Sequence, residues 1–450
     1  MNQPIRNVNI DQTHPNRVPY INNNELFTRH SDTVLCCSID PNIRLAVSGG
    51  IDDTAFVWDL RTKHVIFECS GHRESVVAAA FSINSTYVAT GDLNGYIQVR
   101  NTTTGLRLFE YEIDEINWIR WHNSSDFVLL AGTTKGDFWM WNVNDPAAVK
   151  TFSPYGSGTT TAKILIDGLR IVVAYQDGSI RLFDLKTRQT IRHLVASENA
   201  EIISLDVNPN NSLLAIGCID ASVKIVTVEG FRIINSLLCK SPDSTTNPQE
   251  DSTSGLTSNP EASTSNYNDE SVSMLQGRPE DDLGVPYDAE PLEVIDEFTN
   301  MLEKSDNVEQ ALSDDMTGHD VGEQESDTDD DIFENDPVDN SSVESVLFSP
   351  CGNFLAASNN SGTMIIWDVA CQSVRCELHT GIGITRCAWT LSGHYVTGCL
   401  DGVVRVYDIN LNLAREISAH MDQILDLANL GRTILTASED KTCRVIELNI

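Results

Sequence analysis

The amino-acid sequence predicts an all-β protein: a single closed eight-bladed β-propeller with a long disordered acidic insertion. A strand-like pattern recurs along the chain and ends at Trp58, Arg100, Trp141, Phe183, Val226, Trp367, Tyr407 and Ile446. The intervals between these positions are 42, 41, 42, 43, 141, 40 and 39 residues, so one repeat is interrupted by about 100 extra residues. A unit of four short strands cannot bury both of its faces alone. Radial packing of eight such units around a channel covers them.

The turn inside each repeat carries a recurrent polar residue six positions before the end of the pattern. It is aspartate in five repeats, Asp52, Asp177, Asp220, Asp401 and Asp440, and Asn94, Lys135 or Ser361 in the others. A carboxylate at this point can cap the backbone N–H groups of the turn and accept a hydrogen bond from a buried histidine. We therefore expect a structural network built from His30, Ser48, Asp52 and Trp58 in the first repeat, with His72 and His420 in equivalent places. Because the spacing recurs with the repeat, a catalytic Ser-His-Asp set is disfavoured.

The two chain ends are expected to meet in one blade. The last repeat reaches Ile450 directly after its third strand, and residues 25–30 resemble the ends of the outer strands at 66–72 and 413–420. We predict that residues 25–30 supply the outer strand of the last blade, which removes an open sheet edge. The predicted organisation is a flexible tail at 1–18, repeats one to five at 19–240, a disordered insertion at 241–340, and repeats six to eight at 341–450.

Composition places the chain among non-enzymatic globular proteins. It is 41% hydrophobic, has no apolar run of membrane-spanning length, and has no apolar secretion segment after its first methionine. We expect it in the cytoplasm, with the nucleus as a second location. The 11 cysteines form no C-x-x-C pair and are expected to be reduced and mostly buried, with no metal and no cofactor bound. No nucleophile-base pair outside the structural sets and no phosphate-binding glycine loop is found.

The insertion holds most of the net charge. Residues 241–340 contain 29 acidic residues against Arg278 and Lys304, a net of −27 out of −35 for the chain, and are predicted to be disordered. Within them, Leu292, Ile295, Phe298 and Leu302 lie at helical spacing in the segment 291–304. This segment is interpreted either as a helix that docks on a partner or as a transient helix without a target. Ser326 and Thr328 precede acidic runs and are predicted phosphorylation sites.

A ring of carboxylates is predicted on one face of the propeller. The loops that lead from each outer strand to the next inner strand carry acidic residues in six of eight repeats: Asp32, Glu74, Asp114, Glu115, Glu201, Glu344 and Asp422. Equivalent positions around a ring would sum to one negative patch, which suits a Lys/Arg-rich protein segment and repels nucleic-acid phosphate. The alternative interpretation is that these carboxylates only keep the protein soluble.

Several motifs indicate a family. The strings L-A-V-S-G-G-I-D-D-T-A-F-V-W-D, Y-V-A-T-G-D-L-N-G and C-L-D-G-V-V-R-V-Y-D resemble the WD-repeat family and, more narrowly, the family of the angio-associated migratory cell protein. The resemblance implies a monomeric interaction propeller. Relatives in this family include a fungal chaperone dedicated to a basic protein of the large ribosomal subunit, whereas others are tied to cell migration and small-GTPase signalling. A chaperone and a signalling scaffold are thus both candidate functions. The acidic N-terminal extension typical of the family is missing here, and the acidic insertion is longer.

Overall fold

A computed structural model describes residues 6–7, 26–198, 200–240 and 341–449, and confirms the eight-bladed propeller. In this part of the chain each of the eight blades contains four antiparallel strands. In seven blades these strands follow sequence order from the innermost to the outermost. In the eighth the outermost strand comes from residues 26–27, and residues 6–7 add a fifth strand to the sheet of blade six. The predictions for the insertion at 241–340, for the helix at 291–304, and for phosphorylation of Ser326 and Thr328 concern residues outside the described ones. The same holds for the tail at 1–18 apart from residues 6–7.

The described strands are short. Two precede the first complete blade: β1 (Arg6–Asn7) and β2 (Leu26–Phe27). Blades one to four contain β3 (Val34–Ile39), β4 (Leu45–Gly50), β5 (Ala55–Asp59), β6 (Val65–Glu68), β7 (Val76–Phe81), β8 (Tyr87–Asp92), β9 (Tyr96–Asn101), β10 (Arg107–Glu112), β11 (Ile116–Trp121), β12 (Val128–Thr133), β13 (Phe138–Asn142), β14 (Asp145–Phe152), β15 (Thr159–Ile164), β16 (Arg170–Tyr175), β17 (Ser179–Asp184) and β18 (Thr190–Val195). Blades five to eight contain β19 (Ile202–Val207), β20 (Leu213–Cys218), β21 (Ser222–Thr227), β22 (Arg232–Leu238), β23 (Ser345–Phe348), β24 (Phe354–Ser358), β25 (Thr363–Asp368), β26 (Ser373–His379), β27 (Ile384–Trp389), β28 (Tyr395–Cys399), β29 (Val403–Tyr407), β30 (Leu413–Ser418), β31 (Ile424–Leu430), β32 (Thr433–Ser438) and β33 (Cys443–Glu447).

The burial pattern changes from the inside of each blade to the outside. The second strand of the first blade, β4, is buried at all six positions because neighbouring blades cover both of its faces. Its outer strand β6 alternates between partly buried and exposed residues, as expected for a strand with one solvated face. The core therefore lies between blades. Trp58 of blade one, for example, packs in one cluster with Leu435 of blade eight.

The ring closes through the N-terminal segment. The first strands of neighbouring blades contact each other all the way around, including β31 with β3. The outer strand of the eighth sheet is β2, in which Leu26 pairs with Arg444 and Phe27 with Cys443. The ring of Phe27 stacks on the indole of Trp58, with a centroid distance of 4.4 Å and an interplanar angle of 4°. Two blades away in the ring, β1 pairs in parallel with β26, the outer strand of blade six.

The turn between the second and third strands requires a left-handed backbone in every described blade. A residue one or two positions before the third strand has positive φ in all eight: Asp53, Gly95, Gly136, Gly178, Ala221, Gly362, Gly402 and Lys441. A Cβ on Gly95 would lie 2.2 Å from the carbonyl oxygen of Ile113. Glycine meets both demands, because it has no Cβ and adopts positive φ without strain. This turn places the preceding residue, such as Asp52, where it can cap the backbone.

Candidate partner-binding face

The predicted network of the first blade forms a continuous hydrogen-bonded chain. Trp58 Nε1 donates to Ser48 Oγ at 3.1 Å, Ser48 Oγ lies 2.9 Å from His30 Nε2, and His30 Nδ1 lies 3.1 Å from the carboxylate of Asp52. Burial alone raises the pKa of Asp52, but hydrogen bonds from His30 and Thr54 outweigh it and lower the pKa to about 2. Ser48 is fully buried. The chain ties the loop before the first strand to the turn after the second, and leaves its serine out of reach of a substrate.

Two other blades contain a histidine set, and one of them differs from the prediction. In blade eight, His420 Nδ1 lies 3.0 Å from Asp440. Burial raises the pKa of Asp440, but hydrogen bonds from His420 and Thr442 outweigh it and lower the pKa to about 2. In blade two, His72 Nδ1 lies 3.2 Å from Asp92, two residues before the expected turn position at Asn94. Asp92 caps the turn from there, because it also accepts the N–H of Tyr96 at 3.0 Å.

The remaining predicted aspartates act only on the backbone or on an arginine. Asp177 accepts the N–H of Ser179 and Asp220 that of Ser222, each at 2.9 Å. Asp401 accepts the N–H of Val403 at 3.2 Å and lies 2.6 Å from Nη2 of the buried Arg405.

In blade four, Tyr155 takes the place that His30 has in blade one. Its ring stacks under the guanidinium of Arg181, with Cζ 3.8 Å from the ring centre, and its hydroxyl lies 2.7 Å from Thr190 Oγ1. This loop is held by stacking rather than by a histidine.

Eight equivalent backbone bonds place two sets of loops on one face. In each blade a residue directly after the second strand, the first in seven blades and the second in blade six, donates its N–H to a carbonyl in the loop that precedes the first strand. The donors are Ile51, Leu93, Thr134, Gln176, Ile219, Asn360, Leu400 and Glu439, and the acceptors are Thr33, Ser75, Glu115, Gly158, Glu201, Ser342, Gly383 and Gln423. The loops that precede the first strands and the loops between the second and third strands therefore lie side by side. We call the surface that they form the acidic face.

Charge differs strongly between the two ends of the propeller. Outside residues 241–340, the loops of the acidic face hold 16 acidic and 5 basic residues, a net charge of −11. The loops at the other end, between first and second and between third and fourth strands, hold 5 acidic and 6 basic residues, a net charge of +1. Equivalent charges around a ring reinforce one another in the solvent above it. The acidic face is thus a strongly negative surface on a molecule whose other end is close to neutral.

The structure places all seven predicted carboxylates in these loops, with Glu344 as the last loop residue before β23. Asp32 lies 3.5 Å from Lys441 Nζ and Asp114 lies 2.7 Å from Lys135 Nζ, so each of these two carboxylates forms an ion pair with a lysine of the same face. Burial raises the pKa of Glu201. The others in the loops are Glu74, Glu115 and Asp422.

Glu344 is closer to the innermost strand than the other loop carboxylates. The bond from Asn360 to Ser342 aligns Ser342 with Thr33, so Glu344 corresponds to Leu35 in the first strand of blade one. In blade six the first strand begins one residue later, at Ser345, so Glu344 is still a loop residue. Its carboxylate lies 3.9 Å from Arg386 in the first strand of the next blade.

Two further aspartates in the innermost strands link neighbouring blades, and the sequence analysis missed them. Asp206 of blade five accepts the N–H of Phe348 of blade six at 2.8 Å and lies 2.8 Å from Lys163 of blade four. Asp426 of blade eight accepts the N–H of Cys37 of blade one, also at 2.8 Å. The available signal was an aspartate inside an apolar strand, as in I-I-S-L-D-V and I-L-D-L-A. Such a residue needs a buried partner.

The described residues contain no group of three or more His, Cys, Asp or Glu that could hold a metal ion. Among the same residues there is no helix with the length and apolar character of a membrane span.

Comparison with known proteins identifies the repeats. The family model described as WD domain, G-beta repeat matches residues 23–59, 63–101, 188–226, 336–368 and 371–408. The chain is 29% identical over 426 residues to the angio-associated migratory cell protein of Homo sapiens, covering 93% of this chain and 78% of the relative. It is 28% identical over 134 residues to the ribosome assembly protein SQT1 of Saccharomyces cerevisiae, covering 28% of this chain and 31% of that protein.

Solved structures show the same fold. The crystal structure of Saccharomyces cerevisiae Sqt1 matches with a TM-score of 0.67 at 15% identity, covering 94% of this chain and 98% of the other. That of Chaetomium thermophilum Sqt1 bound to the N-terminus of the ribosomal protein L10 matches with a TM-score of 0.66 at 18% identity, with the same coverage. The chain therefore has the propeller fold of these structures, and five of its segments match the WD40 repeat model.

Proposed function

We propose that this chain, a WD40-repeat propeller similar in sequence to the angio-associated migratory cell protein, is a non-enzymatic binding protein. It holds a Lys/Arg-rich segment of a partner protein on its acidic face. The observation that carries the proposal is the difference between the two ends of the propeller, −11 against +1. A negative face of this kind accelerates the approach of a basic segment and disfavours nucleic acid.

The partner proposed is a ribosomal protein of the large subunit, which the chain escorts as a dedicated chaperone. The solved structure of a Sqt1 propeller bound to the N-terminus of ribosomal protein L10 supports this choice. Ribosomal proteins carry basic segments that must be shielded from nucleic acid and from other polyanions before assembly. We place the complex, one propeller with one partner, in the cytoplasm, with the nucleus as a second compartment.

Charge reversal on the acidic face tests the proposal. Asp32→Lys, Glu74→Lys and Asp422→Lys are combined in the full chain, and the control combines Glu68→Lys, Asp145→Lys and Glu229→Lys, three exposed acids outside the acidic face. Both variants change the net charge equally, and exposed substitutions of this kind cost about 0.5 kcal/mol or less each. The face variant should lose the partner and the control should retain it.

The measurement is affinity purification of each tagged chain from cells labelled briefly during protein synthesis. Recovery of one newly made basic ribosomal protein with the wild type and the control, but not with the face variant, is the expected result. A salt-resistant set of signalling proteins, retained by all three chains, would refute the escort and favour the signalling scaffold, because screening weakens ionic contacts and leaves apolar ones.

A further inference from the structure

The acidic face also presents aliphatic side chains at one repeated position. This position is the residue after the second strand whose N–H donates to the neighbouring loop, a bond that all eight described blades share. It is Ile51, Leu93, Ile219 and Leu400 in blades one, two, five and seven. The shared backbone bond means that these side chains leave the backbone at equivalent places around the ring.

These side chains are exposed although they are large and apolar. Their exposed fractions are 44% for Ile51, 39% for Leu93, 46% for Ile219 and 44% for Leu400. In blade eight, Met421 of the preceding loop is 70% exposed. We call these five residues the aliphatic set. Scattered exposed aliphatic residues are ordinary, but repetition at one position of a ring places them within reach of a single ligand.

The aliphatic set is interleaved with carboxylates. In four of its five members the next residue in the chain is an aspartate: Asp52, Asp220, Asp401 and Asp422. Leu400 lies over the loop that enters the first strand of its blade, since a Cβ on Gly383 would lie 2.4 Å from Leu400 Cδ1. Apolar and negative groups thus alternate around the inner part of the face, which selects a ligand of alternating apolar and positive groups.

We infer that the bound segment of the partner alternates Lys or Arg with large apolar residues, and that the aliphatic set binds the apolar ones. This rests on the proposed function of the face. In an extended peptide, side chains on one side repeat every ~7 Å, so an alternating sequence presents all its apolar groups together. Ionic contacts then bring the segment to the face, and apolar contacts provide the part of the affinity that salt does not remove.

Two synthetic peptides of about twelve residues serve as probes, one alternating Lys with Leu and the other Lys with Ser. Both have the same charge. Binding to the full chain is measured by titration calorimetry at about 50 mM and about 500 mM NaCl. The Lys–Leu peptide should bind at least about tenfold more tightly, and should keep measurable affinity at high salt.

The variant combines Ile51→Ser, Leu93→Ser, Ile219→Ser and Leu400→Ser. It should weaken Lys–Leu binding by about tenfold or more at both salt concentrations and leave Lys–Ser binding unchanged, which also shows that the variant is folded. The control makes the same change at Ile43, Ile83, Ile166 and Leu391, whose exposed fractions of 42%, 40%, 65% and 77% match or exceed those of the aliphatic set. These residues lie between first and second strands, at the other end of the propeller, so the control should bind both peptides as the wild type does.

Two results would overturn the inference while the proposed function stands. One is equal binding of the two peptides, unaffected by the serine substitutions. The other is a loss of self-association in the serine variant, measured by sedimentation, with peptide affinity unchanged; the aliphatic set would then be covered by a second copy of the chain. Failure of both peptides to bind at about 50 mM salt would instead overturn the proposed function together with the inference.

Discussion

Removing the ring of Phe27 tests how the propeller is closed. Phe27 is 1% exposed and stacks on Trp58 of the neighbouring blade, although its strand β2 contributes only two residue pairs to the eighth sheet. Phe27→Ala leaves a cavity between blades eight and one, and losses for a buried phenylalanine are about 3–5 kcal/mol. Since so short a strand has little else to hold it, we expect local detachment of β2 before the propeller unfolds.

Phe152→Ala is the matched control. Phe152 occupies the same position of the outer strand in blade three, is 2% exposed, and stacks on Phe138 at 3.9 Å. Its strand β14 has eight residues and is joined to β13 through the chain, so the cavity should destabilise the blade without releasing the strand. The two variants should lose similar stability overall and differ in where the structure opens.

Hydrogen exchange at the amide of Cys443 distinguishes the two variants. Successive N–H groups of a strand point to opposite neighbours, and the bond from Ser438 N–H to Thr442 O leaves the N–H of Cys443 on the side of β2. A loss of about 3–5 kcal/mol in local stability corresponds to exchange that is faster by about two to three and a half powers of ten, at about 1.4 kcal/mol per factor of ten. Faster exchange in Phe27→Ala and near wild-type exchange in Phe152→Ala are expected. Unchanged exchange at this amide in Phe27→Ala would refute the idea that β2 is the weakest part of the ring.

Two further predictions concern single turns. The carboxylates of Asp52 and Asp440 have a pKa of about 2 against an ordinary 3.8, so their stabilisation is complete above that ordinary value and is lost as pH falls from about 5 to about 2. Allowing for solvent screening, the two carboxylates together contribute about 2–4 kcal/mol to the free energy of unfolding. In the double variant Asp52→Asn with Asp440→Asn, the urea midpoint of unfolding should therefore depend less on pH over this range. Ala221 has a φ of 65°, a conformation that disfavours a Cβ, so Ala221→Gly should stabilise the protein by about 0.5–1 kcal/mol. A lower melting temperature for Ala221→Gly would contradict the assumed strain.

The period of the sequence predicts everything that repeats and little of what differs between blades. Spacing alone predicts eight blades and the turn at Asp52, because the same local geometry is required in each unit. It places the cap of blade two at Asn94, whereas Asp92 takes that role from two residues earlier. The turn accepts a side-chain oxygen from either position, so local chemistry does not decide between them.

Contacts between blades are the least predictable part. Asp426 accepts a hydrogen bond from the backbone N–H of Cys37, 389 residues away in the chain. Asp206 accepts one from the backbone N–H of Phe348, 142 residues away. The spacing within a repeat carries no information about which neighbour fills such a contact, because register between adjacent blades is decided by packing. Glu344 illustrates the same point, because its carboxylate lies 3.9 Å from Arg386 of the next blade and the spacing of the repeat does not indicate that contact.

Turn capping does not explain the charge of the acidic face. Aspartates cap turns at both ends of the propeller: Asp52 and Asp177 do so on the acidic face, and Asp40, Asp167 and Asp408 do so at the other end. If capping were the cause, both ends would be similarly negative. At the other end, basic residues offset the acidic ones, whereas on the acidic face acids outnumber bases by 16 to 5. Such an excess repels itself and lowers stability, so a role in binding positive charge accounts for it better than the folding of the turns does.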